Sequence, residues 1–368
     1  MTIGVGLIGC GNIAPNYLQN AARHAGIAIR AVADHRPAAA AAAAREFGTD
    51  AESVQGLLAR PDVEIILNLT PPLAHGLVTR AALAAGKHVY SEKPLATTFA
   101  EGRMLATEAA AHGLVIGCAP DTFLGASHQI ARRLLDDGRI GRVIGGTAFF
   151  LSPGMEDWHP NPGFFFRRGG GPHLDMGPYH TTVLVNLLGP VASVAALGSR
   201  GQDTRLVTAE GSLHGTSIPV EVPTSFWALL RFASGVPILL GLSWDVAAHG
   251  MPHGELYGTA GTLRLADPDQ FGGTVRLGTV DGWTEFPTDD ALFGGPDGHW
   301  NDHRALGLAD MATALGEGRQ PRAGLDRALH VLEVLEAVET SSTTGEMIVL
   351  TTTCERAAPF DSSSLRLH

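Results

Sequence analysis

The chain has 368 residues, a formal net charge of −11 and a hydrophobic content of 45%, a length that accommodates two domains of roughly 100–200 residues each. Its acidic balance argues against nucleic-acid phosphates as the main partner, and no apolar run approaches the roughly 20 residues needed to cross a bilayer. Three dispersed cysteines, Cys10, Cys118 and Cys354, form no CxxC motif, and the N-terminus enters a strand-like run without a basic leader; reduced thiols and a cytoplasmic location are expected.

Short apolar runs at Ile3 to Ile8, Ile27 to Ala33, Val63 to Leu69, His88 to Ser91 and Leu114 to Cys118 read as buried parallel strands. Between them, one helix starts at Pro37, runs through the seven alanines Ala38 to Ala44 and ends before Gly48, with proline and glycine at their favoured ends. Another covers about His75 to Ala85 and stops at Gly86. The alternation implies a doubly wound sheet. A bridging helix is expected over Ala126 to Asp137 and a strand over Val143 to Leu151, then an irregular Gly/Pro/aromatic segment to Pro172 and a helix to about Leu188. From Val191 to Phe286 strand follows strand, clearest at Phe226 to Phe232 and Pro237 to Val246, which predicts a largely antiparallel sheet. Helices near Asn301 to Gly316 and Leu325 to Glu339 close the chain before a loose tail.

Gly9-Cys10-Gly11-Asn12-Ile13-Ala14 is a G-x-G-x-x-A sequence between a predicted strand and a predicted helix, the context a dinucleotide fingerprint requires. Gly9 permits the tight turn, and Gly11 leaves room for a pyrophosphate at the helix start, where Asn12 and Ile13 lie. Asp34 ends the second strand at the spacing of a ribose-binding acid. A carboxylate there favours NAD over NADP, although the adjacent His35 and Arg36 also border the site and Arg36 could hold a phosphate. Thr70 and Pro71 follow the next long strand, at the sheet end where ligands bind. His75 opens the following helix, as either a cofactor contact or a cap.

The stretch Gly86-Lys87-His88-Val89-Tyr90-Ser91-Glu92-Lys93-Pro94-Leu95-Ala96, with the glycine loop and Thr70-Pro71-Pro72-Leu73-Ala74-His75, resembles the Gfo/Idh/MocA oxidoreductases. The resemblance continues at Gly138 to Gly141, Gly169 to Gly177 and Glu255 to Leu263. It implies an α/β architecture: an N-terminal NAD-binding Rossmann domain (1–122) with a doubly wound parallel sheet, and a C-terminal α/β substrate and oligomerisation domain (123–355) with a large, mostly antiparallel open sheet. A tail (356–368) follows, and the resemblance implies a homodimer or homotetramer through the C-terminal sheet. It also implies that Lys93 is catalytic, in a Lys-Pro peptide that can be cis, and that Glu92 lies near the nicotinamide ribose. Burial and a cationic nicotinamide would push Lys93 toward its neutral form. Lys93 and Lys87 are the only lysines in an otherwise arginine-based set.

Asp175 matches the acid of the family's second motif. The common pattern places histidine four residues later; here Tyr179 stands there and His180 follows. On a continuous helix Tyr179 shares the face of Asp175, whereas a helix starting at Gly177-Pro178 would let His180 reach the site. Either can move a proton. His159, Asn161 and Arg167, in the aromatic loop before the glycine run, are weaker substrate candidates. No metal is expected, because neither His173-Leu174-Asp175 with His180 nor His299 to His303 has a zinc spacing. The run His299 to Arg304 is expected to form a helix entrance near the site.

These readings converge on hydride transfer between nicotinamide and a secondary alcohol or ketone carbon of a sugar, sugar derivative or inositol. Two rivals stay open: a redox-neutral enzyme with tightly held NAD that oxidises, eliminates or epimerises and then reduces, and a non-enzymatic NAD sensor.

Overall fold

A computed structural model describes residues 2–288, 293, 303–361, 365 and 367. Six strands build the first sheet: β1 (Ile3–Ile8), β2 (Ile27–Ala33), β3 (Asp50–Glu52), β4 (Ile65–Asn68), β5 (His88–Ser91) and β6 (Ile116–Cys118). Their order is β3-β2-β1-β4-β5-β6, all parallel. Every residue of β1 is buried, as a strand covered on both faces must be. Ile8, the last residue of β1, pairs with Ala33 on one side and Asn68 on the other. The carboxyl ends of three strands therefore meet where the strand order reverses, the crevice in which open α/β sheets bind ligands.

The helix Pro37–Phe47 has Pro37 in its first turn and the left-handed Gly48 behind it, as its sequence dictates. The helix Pro72–Ala84 starts earlier than expected, at the second of two prolines. Two further helices, Val54–Ala59 and Phe99–His112, were not individually expected. Gly102 interrupts the helix-forming run of the second, and the reason is tertiary. A Cβ there would come within 3.0 Å of Leu329 and Leu332 on the last long helix.

The second half contains β7 (Val143–Leu151), β8 (Val191–Ser199), the small pair β9 (Thr204–Leu206) and β10 (Ser217–Pro219), β11 (Ser225–Phe232), β12 (Pro237–Ser243), β13 (Gly254–Gly258), β14 (Thr262–Leu265), β15 (Val275–Thr279), β16 (Gly282–Phe286) and β17 (Ile348–Val349). Nine of them form one sheet in the order β16-β15-β14-β13-β7-β12-β11-β8-β17. Its pairs are antiparallel except β7 with β12. One face carries the helices Gly177–Leu188 and Leu325–Thr344. The latter, five residues longer than its pattern suggested, also packs on Phe99–His112 and ties the two sheets together. The helix Ala126–Asp136, expected as a bridge, packs on the helix Gly177–Leu188 and on β14 and β15 of the second sheet. The helix expected from Asn301 begins, in its described part, at Leu306 and runs to Glu317; His299 to Asp302 lie outside the described residues. Among the described residues no helix is long and apolar enough to cross a membrane.

Gly9 has φ +105°, and a Cβ on it would sit 2.6 Å from the carbonyl carbon of Leu69. Gly9→Ala is expected to destabilise the protein by about 2–4 kcal/mol, read as a lower denaturant midpoint. An unchanged midpoint would mean that the β1 and β4 ends do not constrain this turn.

Candidate active site

The loop after β1 is anchored by Asp34. Its Oδ2 accepts from the Cys10 N–H at 2.9 Å and its Oδ1 from the Arg36 N–H at 2.8 Å. Burial opposes ionisation of this carboxyl, but those two N–H groups and the Arg36 guanidinium outweigh it and hold Asp34 below its usual range. Arg36 Nε leans on the same Oδ1 at 3.4 Å, and the exposed His35 ring lies 3.1 Å from it. Gly11 and Asn12 are exposed and Ile13 is half-buried at the start of the helix Ala14–Ala21. A Cβ on Gly11 would meet no atom within 4 Å. No internal packing demands glycine there, so the space over the helix start is cleared for something from outside the chain, and a pyrophosphate fits it by charge.

Opposite this loop, Thr70 Oγ1 donates to Asn68 Oδ1 at 2.7 Å, and Pro71 is exposed. His75 is buried, with Nε2 2.7 Å from Thr70 O and Nδ1 2.7 Å from Pro94 O. Burial holds it below the usual histidine value against the pull of both carbonyls. Rather than capping a surface helix, His75 buckles the Thr70 loop to the Lys93-Pro94 loop.

That second loop carries the charged centre. Glu92 is buried and accepts from Tyr17 Oη at 2.8 Å and from the Lys93 N–H at 2.9 Å. The Lys93–Pro94 peptide is cis. Lys93 Nζ donates to Asp175 O at 2.7 Å and to Asp175 Oδ1 at 2.8 Å, joining the β5 loop to the second half of the chain. The chain's own groups act against the neutral lysine that burial favours. Burial does push it down, but Asp175, Tyr179 and Glu92 together outweigh burial and hold it above its ordinary range.

Asp175 ends a short helical turn, Pro172–Asp175, and a new helix starts at Gly177. Despite this break, Tyr179 and not His180 approaches the lysine. Lys93 Nζ lies 5.1 Å from the Tyr179 ring centre. His180 turns toward the sheet, with Nε2 3.1 Å from Phe149 O and Nδ1 3.3 Å from Met176 O. His173 packs on Phe226 and faces Glu339. Among the described residues no three His, Cys, Asp or Glu side chains group as a metal site.

Arg304, Asp269, Asp121 and Tyr17 complete the cluster, and the sequence reading assigned none of them a role. Arg304 is buried; its Nη2 donates to Tyr179 Oη at 3.2 Å and to Asp269 Oδ1 at 2.9 Å, and its Nη1 lies 3.9 Å from Asp121 Oδ1. Burial pushes both Asp121 and Asp269 up to about 6 against the attraction of Arg304. Burial also holds Tyr179 above its ordinary range, against the opposing pull of Arg304. Ala305, at φ +81°, turns the chain just after this arginine, a left-handed conformation rare for a residue with a Cβ. The one sequence signal was the expectation that His299 to Arg304 borders the site.

His159 packs against Trp158, Phe164 and Phe165 and accepts from the Asn161 N–H at 3.1 Å. Burial lowers its pKa, and Asp175 is close enough to oppose that. The Asn161 and Arg167 side chains are exposed on the same segment. Arg205 holds the segment's root, donating to Pro153 O, Glu156, Trp244 O and Asp245.

Residues 3–119 match the oxidoreductase family model with an NAD-binding Rossmann fold, and residues 128–264 match the GFO/IDH/MocA C-terminal domain. The chain belongs to the GFO/IDH/MocA family. It is 30% identical over 353 residues to 1,5-anhydro-D-fructose reductase of Ensifer adhaerens, covering 87% of this chain and 99% of that protein. It is 26% identical over 292 residues to inositol 2-dehydrogenase of Rhizobium meliloti, covering 79% and 83%. Among solved structures, levoglucosan dehydrogenase in complex with NADH and L-sorbose shares the fold with a TM-score of 0.80 at 23% identity, over 95% of this chain and 99% of that one. The Rossmann half of this GFO/IDH/MocA member is thus an NAD-binding domain, and Asp175 and Tyr179 of the second half meet its Lys93.

Gly11→Ala separates binding from folding. With open space around it and no positive φ, the variant is expected to keep the wild-type melting temperature while NAD affinity falls by roughly tenfold or more, about 1.4 kcal/mol. Unchanged affinity in a calorimetric titration would place the pyrophosphate elsewhere.

Proposed function

We propose that this protein catalyses NAD-linked interconversion of a secondary alcohol and a ketone on a sugar, sugar derivative or inositol. The observation that carries the reading is the Lys93–Asp175 contact, which sets an ammonium and a carboxylate together at the carboxyl end of the parallel sheet, on the loop after β5. Bound NAD supplies the hydride acceptor. Gly9, Gly11, Asn12, Ile13, Asp34, Thr70, Pro71 and Glu92 line the path proposed for the cofactor. Asp34 favours a ribose diol and repels a 2′-phosphate, and Arg36, which could otherwise hold one, leans on Asp34; this supports NAD over NADP.

Lys93, held as an ammonium, polarises the substrate oxygen and gives its proton when that oxygen becomes a hydroxyl. In the opposite direction the Lys93–Asp175 pair takes the proton back. Arg304 has only donors, so the Tyr179 hydroxyl accepts from it and its own hydrogen points away from the guanidinium, free to orient a substrate oxygen. His159 and the exposed Asn161 and Arg167 supply ring faces and polar heads that suit a polyhydroxylated substrate. The names of the relatives, a reductase of 1,5-anhydro-D-fructose and a dehydrogenase of inositol, support the same substrate class.

Lys93→Met is expected to cut turnover by roughly 10²–10⁴-fold while NAD still binds. The assay incubates the protein with NAD or NADP and a panel of sugars and inositols, and follows reduced-cofactor absorbance alongside product mass. Turnover by Lys93→Met at the wild-type rate would sink the assignment of Lys93. A product of unchanged oxidation state without reduced cofactor would replace this reading with the redox-neutral one.

We infer further that the bare face of the nine-stranded sheet joins copies of this chain. On adjacent strands Leu197 pairs with Trp227, and Leu229 pairs with Leu239. All four are 40–73% exposed, a contiguous apolar patch of the kind that marks an interface. Leu229→Glu with Trp227→Arg is expected to halve or quarter the mass seen by sedimentation. A wild-type monomer would end this proposal.

A further inference from the structure

Four arginines have 1–7% exposure: Arg132, Arg205, Arg304 and Arg327. The first three donate to backbone carbonyls or carboxylates. Among the described residues Arg327 has no hydrogen-bond acceptor. Its Nε and Nη1 are sealed from solvent without one, and its guanidinium lies 4.3 Å from the Phe123 ring centre. Burial pulls Arg327 down to about 10, with Cys354 and Asp310 opposing and Arg132 assisting, so it stays charged at neutral pH. The Cys354 thiol, pushed up to about 11 by burial, stays neutral and offers no counter-charge. A buried guanidinium without an anion is a costly arrangement.

The surroundings supply a place for one. Arg327 lies in the first turn of the helix Leu325–Thr344, whose N-cap Gly324 offers no side-chain oxygen. A groove of about 530 Å³ opens over that turn, lined by Arg319, Arg322, Arg327 and Arg356 with the acids Asp326 and Glu355. Asp310 already engages Arg319 and Arg322, and Asp136 engages Arg356, which leaves Arg327 as the uncompensated charge. On its inner side Arg327 borders a cavity of about 20 Å³ behind Lys93 and Pro94, room for about one water. An anion larger than that must enter from the groove.

We propose that this groove binds a small oxyanion, the phosphate or carboxylate group of a metabolite, with Arg327 as its buried anchor. Nη2, the guanidinium nitrogen of Arg327 that is not sealed, meets an oxygen of either group. The first-turn N–H groups of the helix lack intrahelical partners and add the positive end of its dipole. The site lies on the far side of the Lys93-Pro94 loop from the glycine loop, and the proposal stands whether or not the catalytic reading holds.

The test uses protein saturated with NAD, so that the glycine loop is already filled. Inorganic phosphate and, separately, acetate are titrated calorimetrically, with chloride at matched ionic strength as the control, and melting temperatures are recorded in parallel. Saturable binding of phosphate, acetate or both is expected, with a rise in Tm beyond that in chloride. Arg327→Met is expected to weaken that binding at least about tenfold and to lose the anion-dependent rise. Asp326→Asn, which removes a rim acid without touching the buried charge, is expected to tighten binding; it keeps the proposal testable if Arg327→Met does not fold. Equal responses to phosphate, acetate and chloride would overturn it. So would wild-type binding by Arg327→Met, or unchanged affinity in Asp326→Asn.

Discussion

An ion pair joins the two halves of this molecule at the point where chemistry is proposed. Lys93 stands on the loop after β5 and Asp175 on the turn before the helix Gly177–Leu188, and one ammonium reaches both the carboxylate and the backbone carbonyl of Asp175. Removing one partner from a buried pair commonly costs about 3–5 kcal/mol. Here the side chains keep 14% and 26% exposure, so solvent screens part of that. Much of the neighbourhood can be understood as support for this contact. Glu92 fixes the backbone of Lys93 from one side, and His75 pins Pro94 O from the other. The ammonium is thereby aimed before any substrate arrives, and preorganisation of this kind is what electrostatic catalysis requires.

Tyr179 lies between two cations, Lys93 at 5.1 Å and Arg304 at 5.4 Å from its ring centre. Like charges do not gather without anions, and here the anions are Asp175 on the lysine side, and Asp269 and Asp121 on the arginine side. Burial makes those last two reluctant anions, with pKa values near 6. Arg304 cannot respond by losing its proton, so the balance rests on the carboxylates staying ionised. The hydrogen bonds from Arg304 to Tyr179 and Asp269 fix which way the phenol turns.

The first sheet was legible because its signals are local. β1, β2 and β5 appear where their apolar runs stand, and β7 keeps the bounds its pattern implied. The glycine loop was legible for the same reason: a turn, a close approach and a helix start are all properties of six consecutive residues. The helix Phe99–His112 was obscured by Gly102, whose purpose is visible only once Leu329 and Leu332 lie against it. Arg304, Asp269 and Asp121 were illegible as a set because they come from three distant stretches and no motif spans them. Arg327 was hidden similarly, since a missing partner cannot be read from a linear chain.

The choice between Tyr179 and His180 shows how far spacing arguments reach. The sequence offered two cases, a continuous helix favouring the tyrosine and a helix starting at Gly177 favouring the histidine. The helix does start at Gly177, yet the tyrosine faces Lys93. What decides is packing on the other side. His180 finds Phe149 O on β7 and the edge of Phe150, and a helix seated on a sheet must present one of two neighbouring residues to it. Once His180 is committed to the sheet, Tyr179 is rotated toward the cleft, where Arg304 provides a donor for its oxygen. The residue that faces Lys93 was therefore selected by the sheet contact of its neighbour, and helical periodicity counted from Asp175 pointed to that residue even though the helix it assumed is broken.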